Sequence, residues 1–556
     1  MGINGAQAIV HCLEKEDVTH VFGVPGEQIL AFVDAIYDAP SLEFISTRHE
    51  GGASFMAEAF GKTTNKPAVC IGTSGVGASN LTLGIHTAHQ DSTPMIVIIG
   101  QVNSKYRGRE AWQEIDLDFF YSHIAKWSVE IKNAARIPEI MHQAVHLSKT
   151  GRPGPVVISV PEDILSENTE VEAYFSLNIK KPSISLTDAK EIIALLNKSE
   201  NPLIFAGGGI TASNAKHELI QFSEQSGIPV MSAFRRHDVF PNDHPHYLGN
   251  SGLGSFPELM ETLIDSDLIF AIGTRLSEVS TQGYSFPTKN QTVIHLDVDE
   301  KVIVKQSFSS QGFVSDAKNA LNLLLEQVSN LTFTTTNKEW AQHRKKIYEE
   351  VLLERKQNRI KQHIHGISME KLVDSLYNIL PDDAVITSDA GTFYTWFANY
   401  YPFHANQRYL GPTSGAMGYG LPSAIAAKLI FPERTVISLS GDGGLMMTIQ
   451  ELETAVRYHI PIISLVFNNN SYGAIRLHQE RLFPNRVTGS TLKNPPFDEL
   501  SKLFGGYGYK VTTNEDFIKV FKKALKNDKP TLIEVPMNLK LLSASKGLDN
   551  NQLRNI

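Results

Sequence analysis

The sequence has few cysteines, no long apolar run and no excess of basic residues. Only Cys12 and Cys70 occur in 556 residues, so neither a disulfide framework nor a thiolate metal cluster is supported, and a reducing cytoplasm fits. No stretch approaches the roughly 18 apolar residues that a membrane span needs. The net charge of −8 and the lack of dense Lys and Arg runs argue against nucleic acid. We therefore expect a cytoplasmic protein that binds neither membranes nor nucleic acid.

Short apolar runs alternate with longer helical patterns along the chain, which predicts parallel sheets covered by helices on both faces. We expect an α/β fold of three doubly wound parallel-sheet domains, over residues 1–170, 185–330 and 360–540. A linker is expected at 165–182, and the charged stretch 338–362 is expected to be a solvated connecting helix. The predicted strands are 20–24, 42–46, 68–72, 95–100, 155–160, 202–206, 229–231, 268–272, 293–297, 384–388, 435–440, 462–467 and 531–535.

One segment of the C-terminal block, 435–473, predicts a strand, a Gly-rich turn, a helix and a second strand that ends in a polar loop. Both loops lie at the carboxyl ends of parallel strands, where open α/β sheets bind ligands. Gly441, Gly443 and Gly444 let the backbone approach a phosphate closely, and the helix that follows offers N–H groups to an anion. Asp442 would repel that anion unless a cation lay between them.

The oxygen atoms on these two loops suit Mg²⁺. Asp442 offers a carboxylate, Asn469 an amide oxygen and Ser471 a backbone carbonyl, and Mg²⁺ prefers hard oxygen ligands. A lone Gly-Asp-Gly would more simply be a tight turn. The second loop favours the metal interpretation, because Asn469 follows Asp442 by 27 positions (469 − 442) and a helix and a strand fit that interval.

The run from Gly-Asp-Gly to the double Asn resembles the motif of thiamine-diphosphate enzymes. The resemblance implies that Asp442, Asn469 and Ser471 hold Mg²⁺. It also implies that Met417, close to Gly415, supports the bent cofactor beneath its thiazolium ring, although a methionine by itself is more often a core gap-filler. By the same resemblance, the residues that contact the cofactor at its diphosphate end are Ala390, Gly391, Thr392, Gly443, Gly444, Tyr472 and Gly473.

Glu50 lies where a strand ends and a helical pattern begins. A carboxylate at that position is usually a helix N-terminal charge of modest value. The resemblance implies a second role, in which Glu50 hydrogen-bonds the aminopyrimidine ring of the cofactor and assists formation of the nucleophilic C2 ylid. The cofactor would supply the hard chemistry, and the protein would supply orientation and one proton relay.

Several N-terminal segments occur in the same order as in acetolactate synthases and related carboligases: VFGVPGEQILAFVDAI, RHEGGASFMAEAFGK and GRPGPVVISVPEDI. The resemblance implies that Val24 and Pro25 approach the reaction centre, and that Gln101 and Gln113 contact the substrate or an intermediate. It assigns the pyrimidine end of the cofactor to the N-terminal domain and the diphosphate end to the C-terminal domain. Because these ends belong to different subunits in that family, a homodimer or homotetramer with active sites at the subunit interface is implied.

Three stretches depart from the acetolactate synthase pattern. Val279 replaces the second Arg of an Arg-Phe-Asp-Asp-Arg run, which in that family handles the carboxylate of the acceptor. Leu477 and His478 stand where the family has Gln-Trp, and Thr392 and Phe393 stand where it has Gln-His. His478 is a candidate for proton transfer, since imidazole titrates near neutrality, while a surface-loop histidine is an equal alternative.

The resemblance implies a transferase or lyase that decarboxylates a 2-keto acid such as pyruvate and joins the remaining fragment to an aldehyde or keto-acid acceptor. Two alternatives stay open: a non-oxidative decarboxylase that releases an aldehyde, and a non-catalytic cofactor-binding protein. Thiamine diphosphate and Mg²⁺ are the expected cofactors. FAD, which several acetolactate synthases hold in the central domain, is undecided with absence favoured, because the Gly-rich turn at 206–210 lacks a complete dinucleotide fingerprint.

Overall fold

Three six-stranded parallel sheets follow one another along the computed structural model. The structure describes residues 2–170, 177–305, 310–330, 335–362 and 366–545. Buried apolar clusters lie on both faces of every sheet, which explains why most of the strands read as continuous apolar runs. The expected fold class, with three doubly wound α/β domains, is confirmed.

The N-terminal domain has one large sheet and a two-stranded antiparallel pair. Its strands are β1 (Ile3–Asn4), β2 (His20–Gly23), β3 (Glu43–Ser46), β4 (Ala68–Thr73), β5 (Met95–Gln101), β6 (Trp127–Glu130), β7 (Pro155–Pro161) and β8 (Asn168–Thr169). Its helices are α1 (Gly5–Lys15), α2 (Leu30–Tyr37), α3 (Glu50–Thr64), α4 (Ser74–Asp91), α5 (Leu117–Tyr121), α6 (Ile137–Lys149) and α7 (Glu162–Ser166). The sheet order is β3-β2-β4-β5-β7-β6. Helices α3 and α4 cover one face, and α1, α2 and α6 cover the other.

The central domain has one six-stranded parallel sheet. Its strands are β9 (Pro202–Ala206), β10 (Val230–Ser232), β11 (Tyr247–Asn250), β12 (Leu268–Ile272), β13 (Thr292–Asp297) and β14 (Gln311–Val314). Its helices are α8 (Leu186–Leu196), α9 (Gly208–Ala212), α10 (Lys216–Ser226), α11 (Pro257–Asp265), α12 (Glu300–Val304) and α13 (Ala317–Gln327). The sheet order is β11-β10-β9-β12-β13-β14.

One long helix, α14 (Thr335–Gln362), connects the central and C-terminal domains. The predicted helix is therefore present, but the expectation that it is solvated was wrong for one face. Trp340, Tyr348 and Leu352 pack against the apolar cluster that the two domains share. The predicted linker at 165–182 also begins with structure, because α7 and β8 occupy its start and β8 pairs with β1; residues 171–176 lie outside the described part of the chain.

The C-terminal domain also has one six-stranded parallel sheet. Its strands are β15 (Val385–Ser388), β16 (Arg408–Leu410), β17 (Val436–Gly441), β18 (Ile463–Asn468), β19 (Tyr507–Lys510) and β20 (Thr531–Pro536). Its helices are α15 (Met369–Ile379), α16 (Tyr394–Tyr400), α17 (Gly420–Ile430), α18 (Asp442–Leu445), α19 (Glu451–Arg457), α20 (Gly473–Leu482), α21 (Phe497–Leu503) and α22 (Asn514–Ala524). The sheet order is β16-β15-β17-β18-β20-β19.

Every predicted strand is present, with its ends shifted by no more than one residue. The strands of the six-stranded sheets that the apolar pattern missed are edge strands: β6, β11, β14, β16 and β19. An edge strand has a neighbour on one side only, so it lacks the continuous apolar run of a central strand.

The three sheets span 20–161, 202–314 and 385–536, while the predicted domain boundaries stay predictions. None of the helices in the described residues combines the length and apolar composition needed to cross a bilayer.

Candidate active site

A cavity of about 240 Å³ lies at the carboxyl edge of the C-terminal sheet. It is bounded by the loops that follow β15, β17 and β18, which is where parallel sheets bind ligands. The structure brings together here every cofactor-contacting residue that the sequence predicted in this domain. These residues are Ala390, Gly391, Thr392, Gly415, Met417, Asp442, Gly443, Gly444, Asn469, Ser471, Tyr472 and Gly473.

Two glycines of the turn after β17 are required by close packing. A Cβ atom on Gly443 would lie 2.6 Å from the ring of Tyr472, and one on Gly444 would lie 2.5 Å from Oδ2 of Asp389. The turn therefore brings three loops into contact around the cavity. The helix that begins here is shorter than predicted, because α18 is a single turn and the chain bends before α19.

Asp442 is a buried carboxylate on the wall of this cavity, with 2% of its surface exposed. Burial raises the pKa of Asp442, and the contacts that oppose this rise are hydrogen bonds rather than cationic side chains. The amide oxygen of Asn469 accepts a hydrogen bond of 3.0 Å from the backbone N–H of Ser471, which fixes the second loop. A carboxylate, an amide oxygen and a carbonyl beside one cavity fit Mg²⁺, which favours oxygen ligands and would stabilise the charged form of Asp442.

Asn494 is a site residue that sequence reasoning missed. Its amide nitrogen donates to Asp442 Oδ2 at 2.7 Å, and it also contacts the side-chain oxygens of Asn468 at 3.1 Å and Asn470 at 3.2 Å. One side chain therefore ties the carboxylate to the loop after β18. Asn494 lies in a coil segment before α21, so neither strand periodicity nor the Gly-Asp-Gly motif points to it.

Asp389 is a second missed residue, directly after β15. It is fully buried, its Oδ1 accepts a 2.7 Å hydrogen bond from the N–H of Gly420, and burial raises its pKa to about 6. Arg235 of the central domain donates to the Asp389 carbonyl at 2.9 Å and lies over the ring of Tyr394. These contacts hold the loop 390–392 against the cavity. Its position after a buried strand could have indicated Asp389 from the sequence.

Glu50 is the first residue of α3, at the carboxyl edge of the N-terminal sheet. The side chain of the preceding residue, His49, caps the helix by accepting a 2.9 Å hydrogen bond from Gly51 N–H. Glu50 is partly exposed, and its Oε2 accepts a 2.9 Å hydrogen bond from the amide of Asn80 on α4. Asn80 was not predicted, and it leaves Oε1 of Glu50 available for another donor.

Val24 and Pro25 form the loop after β2, at the same edge of the sheet as Glu50. Gln113 contacts the start of α4, because its carbonyl accepts a 2.8 Å hydrogen bond from Gly75 N–H. The prediction for Gln101 was wrong. Gln101 is fully buried, and its amide bonds the carbonyl of Ile115 and the N–H of Val102, so it cannot reach a substrate.

The described chain does not bring Glu50 to the cavity around Asp442. That cavity is lined by C-terminal residues, and none of Val24, Pro25, Glu50 or Gln113 is among them. Both regions expose apolar side chains to solvent. Val76 and Leu83 on α4 are 60% and 51% exposed, and Met446 and Met447 after α18 are 40% and 47% exposed.

A larger cavity, of about 860 Å³, adjoins the first and shares the loop 390–392 with it. It lies between the central domain, α14 and the C-terminal domain, and Leu477 and His478 of α20 line it. His478 is exposed, and its Nδ1 is 3.4 Å from a guanidinium nitrogen of Arg481. Phe393, in contrast, is buried and stacks on Phe467 at 5.1 Å, so this departure from the family pattern is a core contact.

A third cavity, of about 350 Å³, lies between the N-terminal and central domains, beside the Gly-rich turn. The glycines there allow loops to pack, since a Cβ atom on Gly207 would lie 2.4 Å from the carbonyl oxygen of Gly273. Arg236, also on this cavity, pairs with Asp91 at 2.7 Å. Val279, at the position of the family's acceptor-binding Arg, lines this cavity and not the one that contains His478.

Comparison with known proteins identifies the family. Residues 3–120, 189–324 and 389–535 match the N-terminal TPP-binding, central and C-terminal TPP-binding domain models of thiamine pyrophosphate enzymes. The acetolactate synthase large subunit of Buchnera aphidicola (Schizaphis graminum) is 35% identical over 94% of this chain and 92% of its own length. The chain belongs to the acetolactate synthase large-subunit family of thiamine pyrophosphate enzymes. Further relatives in that family are the large subunit from Haemophilus influenzae, 32% identical over 97% of this chain and 94% of its own, and that of isozyme 3 from Escherichia coli K12, 29% identical over 96% and 95%.

Membership of the acetolactate synthase large-subunit family makes the chain an enzyme that depends on thiamine diphosphate. The predicted family and the predicted use of thiamine diphosphate are therefore confirmed. The matched ranges carry the three parallel sheets in order. The cavity around Asp442 lies in the range matched by the C-terminal TPP-binding model, and Glu50 lies in the range matched by the N-terminal one.

Proposed function

We propose that this enzyme decarboxylates a 2-keto acid such as pyruvate and joins the remaining two-carbon fragment to the carbonyl carbon of a second keto acid or an aldehyde. The acetolactate synthase relatives support this activity over aldehyde release and over non-catalytic binding. The observation that carries the proposal is the cavity around Asp442, where all the predicted diphosphate-end residues meet.

Thiamine diphosphate, when bound, supplies the carbanion that attacks a keto acid and stabilises the charge left when CO₂ departs. The loops at 390–392 and 441–444 and residues Tyr472 and Gly473 would hold its diphosphate, with Mg²⁺ on Asp442, Asn469 and the Ser471 carbonyl. Met417 lines the same cavity and would support the thiazolium ring. The fit of the oxygen donors and the close backbone packing of Gly443 and Gly444 support these assignments.

Glu50 of a second copy of the chain would move a proton at the aminopyrimidine ring of the cofactor. This role needs Glu50 to reach the Asp442 cavity, which the described single chain does not allow. The exposed apolar residues Val76 and Leu83 flank Asn80 on α4, and Met446 and Met447 lie beside the Asp442 turn. Burying such patches against each other is favourable. We therefore propose a homodimer, or a dimer of dimers, with each active site shared between subunits.

Substrates would enter through the larger cavity, which adjoins the cofactor loops. The arginines that line this cavity differ in their contacts. Arg235 donates hydrogen bonds to backbone carbonyls, and Arg355 forms an ion pair with Glu258. Arg481 contacts His478 and, within the described residues, forms no ion pair with an acid. We propose that Arg481 binds a substrate carboxylate, in place of the family's Arg at position 279, and that His478 exchanges protons with the substrate.

For the central domain, we propose that FAD is not required. The packing of Gly207 against Gly273 accounts for the Gly-rich turn, and Arg236 is paired with Asp91. The absorbance spectrum of the purified enzyme tests this, since bound flavin would absorb near 450 nm. We also propose that the enzyme works in the cytoplasm, because Cys12 and Cys70 are free, buried thiols.

The proposed reaction is tested by incubating the enzyme with pyruvate, thiamine diphosphate and Mg²⁺ and identifying products by mass spectrometry. Acetolactate, or acetoin when acetaldehyde is added, is the expected product. Free acetaldehyde as the sole product would instead make the enzyme a simple decarboxylase. Sedimentation velocity with and without cofactor tests the shared site, and an active monomer would contradict it.

A further inference from the structure

Three side chains form a compact group of ligand atoms on the face of the N-terminal sheet that α1, α2 and α6 cover. His142 and His146 are one turn apart on α6, and Glu16 directly follows α1. Glu16 Oε1 lies 3.7 Å from His142 Nδ1 and 3.3 Å from His146 Nε2. All three ligand atoms lie within 4.8 Å of one another. This is the spacing expected of ligands that face one common point.

The group is held in place by the core. Helices α1 and α6 pack together through the same buried apolar cluster, and α1 is fixed at its start by a capping box between Asn4 and Gln7. The side chains of Glu16 and His146 are only 4% and 10% exposed, and that of His142 is 31% exposed. Two ligands are therefore buried and preorganised, while the third borders solvent and gives an ion a route of entry.

The charges around Glu16 leave room for a cation. A carboxylate at the C-terminal end of a helix is disfavoured by the helix dipole, and Glu16 occupies that position on α1. Lys149 contacts Oε2 at 3.1 Å and compensates part of the charge, but Oε1 faces the two imidazoles. A neutral imidazole can donate a lone pair to a metal ion, and Nε2 of His146 lies 3.3 Å from this oxygen.

We infer that Glu16, His142 and His146 form a binding site for a divalent transition-metal ion of the Zn²⁺ class, with water completing the coordination. Two imidazoles and one carboxylate are a ligand set that Zn²⁺ favours, and bonds of about 2.0–2.1 Å place tetrahedral ligand atoms roughly 3.4 Å apart. The observed distances of 3.3 and 3.7 Å match that edge. The nitrogen ligands distinguish this site from the oxygen-lined Asp442 turn, which suits Mg²⁺.

The site is separate from the thiamine-binding region. Glu50 begins α3 on the opposite face of the sheet, and none of the three ligands lines the cavities around Asp442 and His478. A bound ion would tie the end of α1 to the middle of α6. Its effect is therefore expected on the stability of the N-terminal domain and not on turnover.

The test is isothermal titration of full-length, chelator-treated enzyme with ZnCl₂, after saturation with Mg²⁺ and thiamine diphosphate so that the Asp442 site is filled. One Zn²⁺ per chain is expected, with a tetrahedral visible spectrum when Co²⁺ is used instead. His142→Ala, His146→Ala and Glu16→Gln should each weaken binding by at least about 10- to 100-fold, the range that loss of even a supporting contact produces at metal sites. His11→Ala, on α1 outside the group, is the matched control.

Circular dichroism and keto-acid turnover establish that each variant is folded. Where a variant is not folded, His142→Gln is titrated in its place. Zn²⁺ should also raise the melting temperature of the parent and the control but not of the His142→Ala, His146→Ala double variant. No stoichiometric Zn²⁺ binding by the parent overturns the inference. The inference is also overturned if the double variant binds one Zn²⁺ with the affinity of the parent.

Discussion

The N-terminal and C-terminal domains share one sheet topology but provide different chemistry. Numbered from the first strand of each large sheet, both have the order 2-1-3-4-6-5, whereas the central domain has the order 3-2-1-4-5-6. In the C-terminal domain the carboxyl edge surrounds a cavity of about 240 Å³ with glycines and oxygen donors. In the N-terminal domain the same edge presents the carboxylate of Glu50, bonded to Asn80.

The difference shows that topology fixes where a site lies, and that loop residues fix what it does. Gly443 and Gly444 let three loops converge on Asp442, which favours a phosphate and a metal ion. At the N-terminal edge, Glu50 stays partly exposed beside apolar residues of α4. Under the proposed function, one domain provides the cofactor pocket and the other provides Glu50 for proton transfer, so substitutions in the two domains should have different effects.

The largest effect is expected from Asp442→Ala in the C-terminal domain. Loss of the buried carboxylate removes a proposed metal ligand, so Mg²⁺-dependent binding of thiamine diphosphate should weaken by about 100-fold or more, and turnover should fall to background. Titration of the cofactor with and without EDTA measures this. Asp382→Ala, at an 82% exposed side chain of the same domain, is the control. Unchanged cofactor affinity would remove Asp442 from the metal site.

Glu50→Gln in the N-terminal domain should separate catalysis from binding. The amide keeps a hydrogen-bonding group but cannot accept a proton, so turnover should fall by about 10²–10⁴-fold while cofactor affinity stays close to that of the parent. Steady-state assays and cofactor titration measure the two quantities. Glu43→Gln, at an exposed glutamate of β3, should leave both unchanged. Near-normal turnover of Glu50→Gln would exclude the proton relay.

Asn494→Ala tests the supporting layer of the C-terminal site. Its amide orients Asp442 and the loop after β18, so its loss should weaken Mg²⁺ and cofactor binding by about 10- to 100-fold. Excess Mg²⁺ should restore turnover in this variant but not in Asp442→Ala. Asn290→Ala, in an exposed loop of the central domain, provides the control. A variant with the affinity of the parent would show that Asn494 is dispensable.

Arg481→Gln tests the substrate cavity. If Arg481 binds a carboxylate, KM for the keto acid should rise by about tenfold, equivalent to about 1.4 kcal/mol, while kcat changes little. His478→Asn should instead lower kcat and shift its pH profile. Arg486→Gln, at an exposed arginine beyond α20, should alter neither constant. Equal KM values in Arg481→Gln and the parent would assign the carboxylate to another residue.

At the contact between the two outer domains, the expected effect is on stability and not on activity. Glu451 is fully buried, accepts a hydrogen bond from the backbone N–H of Arg48, and has a pKa that burial raises from 4.5 to about 7. Above pH 4.5 the unfolded state releases this proton while the folded state keeps it, so stability falls as pH rises to about 7. The loss is on the order of 3 kcal/mol.

Glu451→Gln should remove that pH dependence, because its amide does not titrate. Melting temperatures measured from pH 4.5 to 8 should fall less steeply for this variant than for the parent. Glu453→Gln, at a partly exposed neighbour, should keep the slope of the parent. Parallel curves for Glu451→Gln and the parent would contradict the assignment.

Much of the fold could be predicted from the sequence because central strands of parallel sheets are buried on both faces. Their apolar runs marked β4, β5, β9 and β12 to within one residue. Five of the six edge strands of these sheets were missed, because their three or four residues form no long apolar run, whereas the edge strand β3 was predicted. The helix α14 was predicted from its charge, but Trp340 and Tyr348 bury one face of it in the core shared by two domains.

The site shows the same division between local and distant information. Asp442, Gly443 and Asn469 are linked by one short motif, so the sequence alone predicted a site for a phosphate and a metal ion at this cavity. Asn494 and Asp389, on separate loops, contact Asp442 and Gly444 of this cavity, and Gln101 is turned into the core. The sequence by itself determined the fold class, the family and the residues whose neighbours along the chain define their chemistry. Only the tertiary structure decided which distant side chains meet and which face outward, because those contacts depend on how separate elements pack.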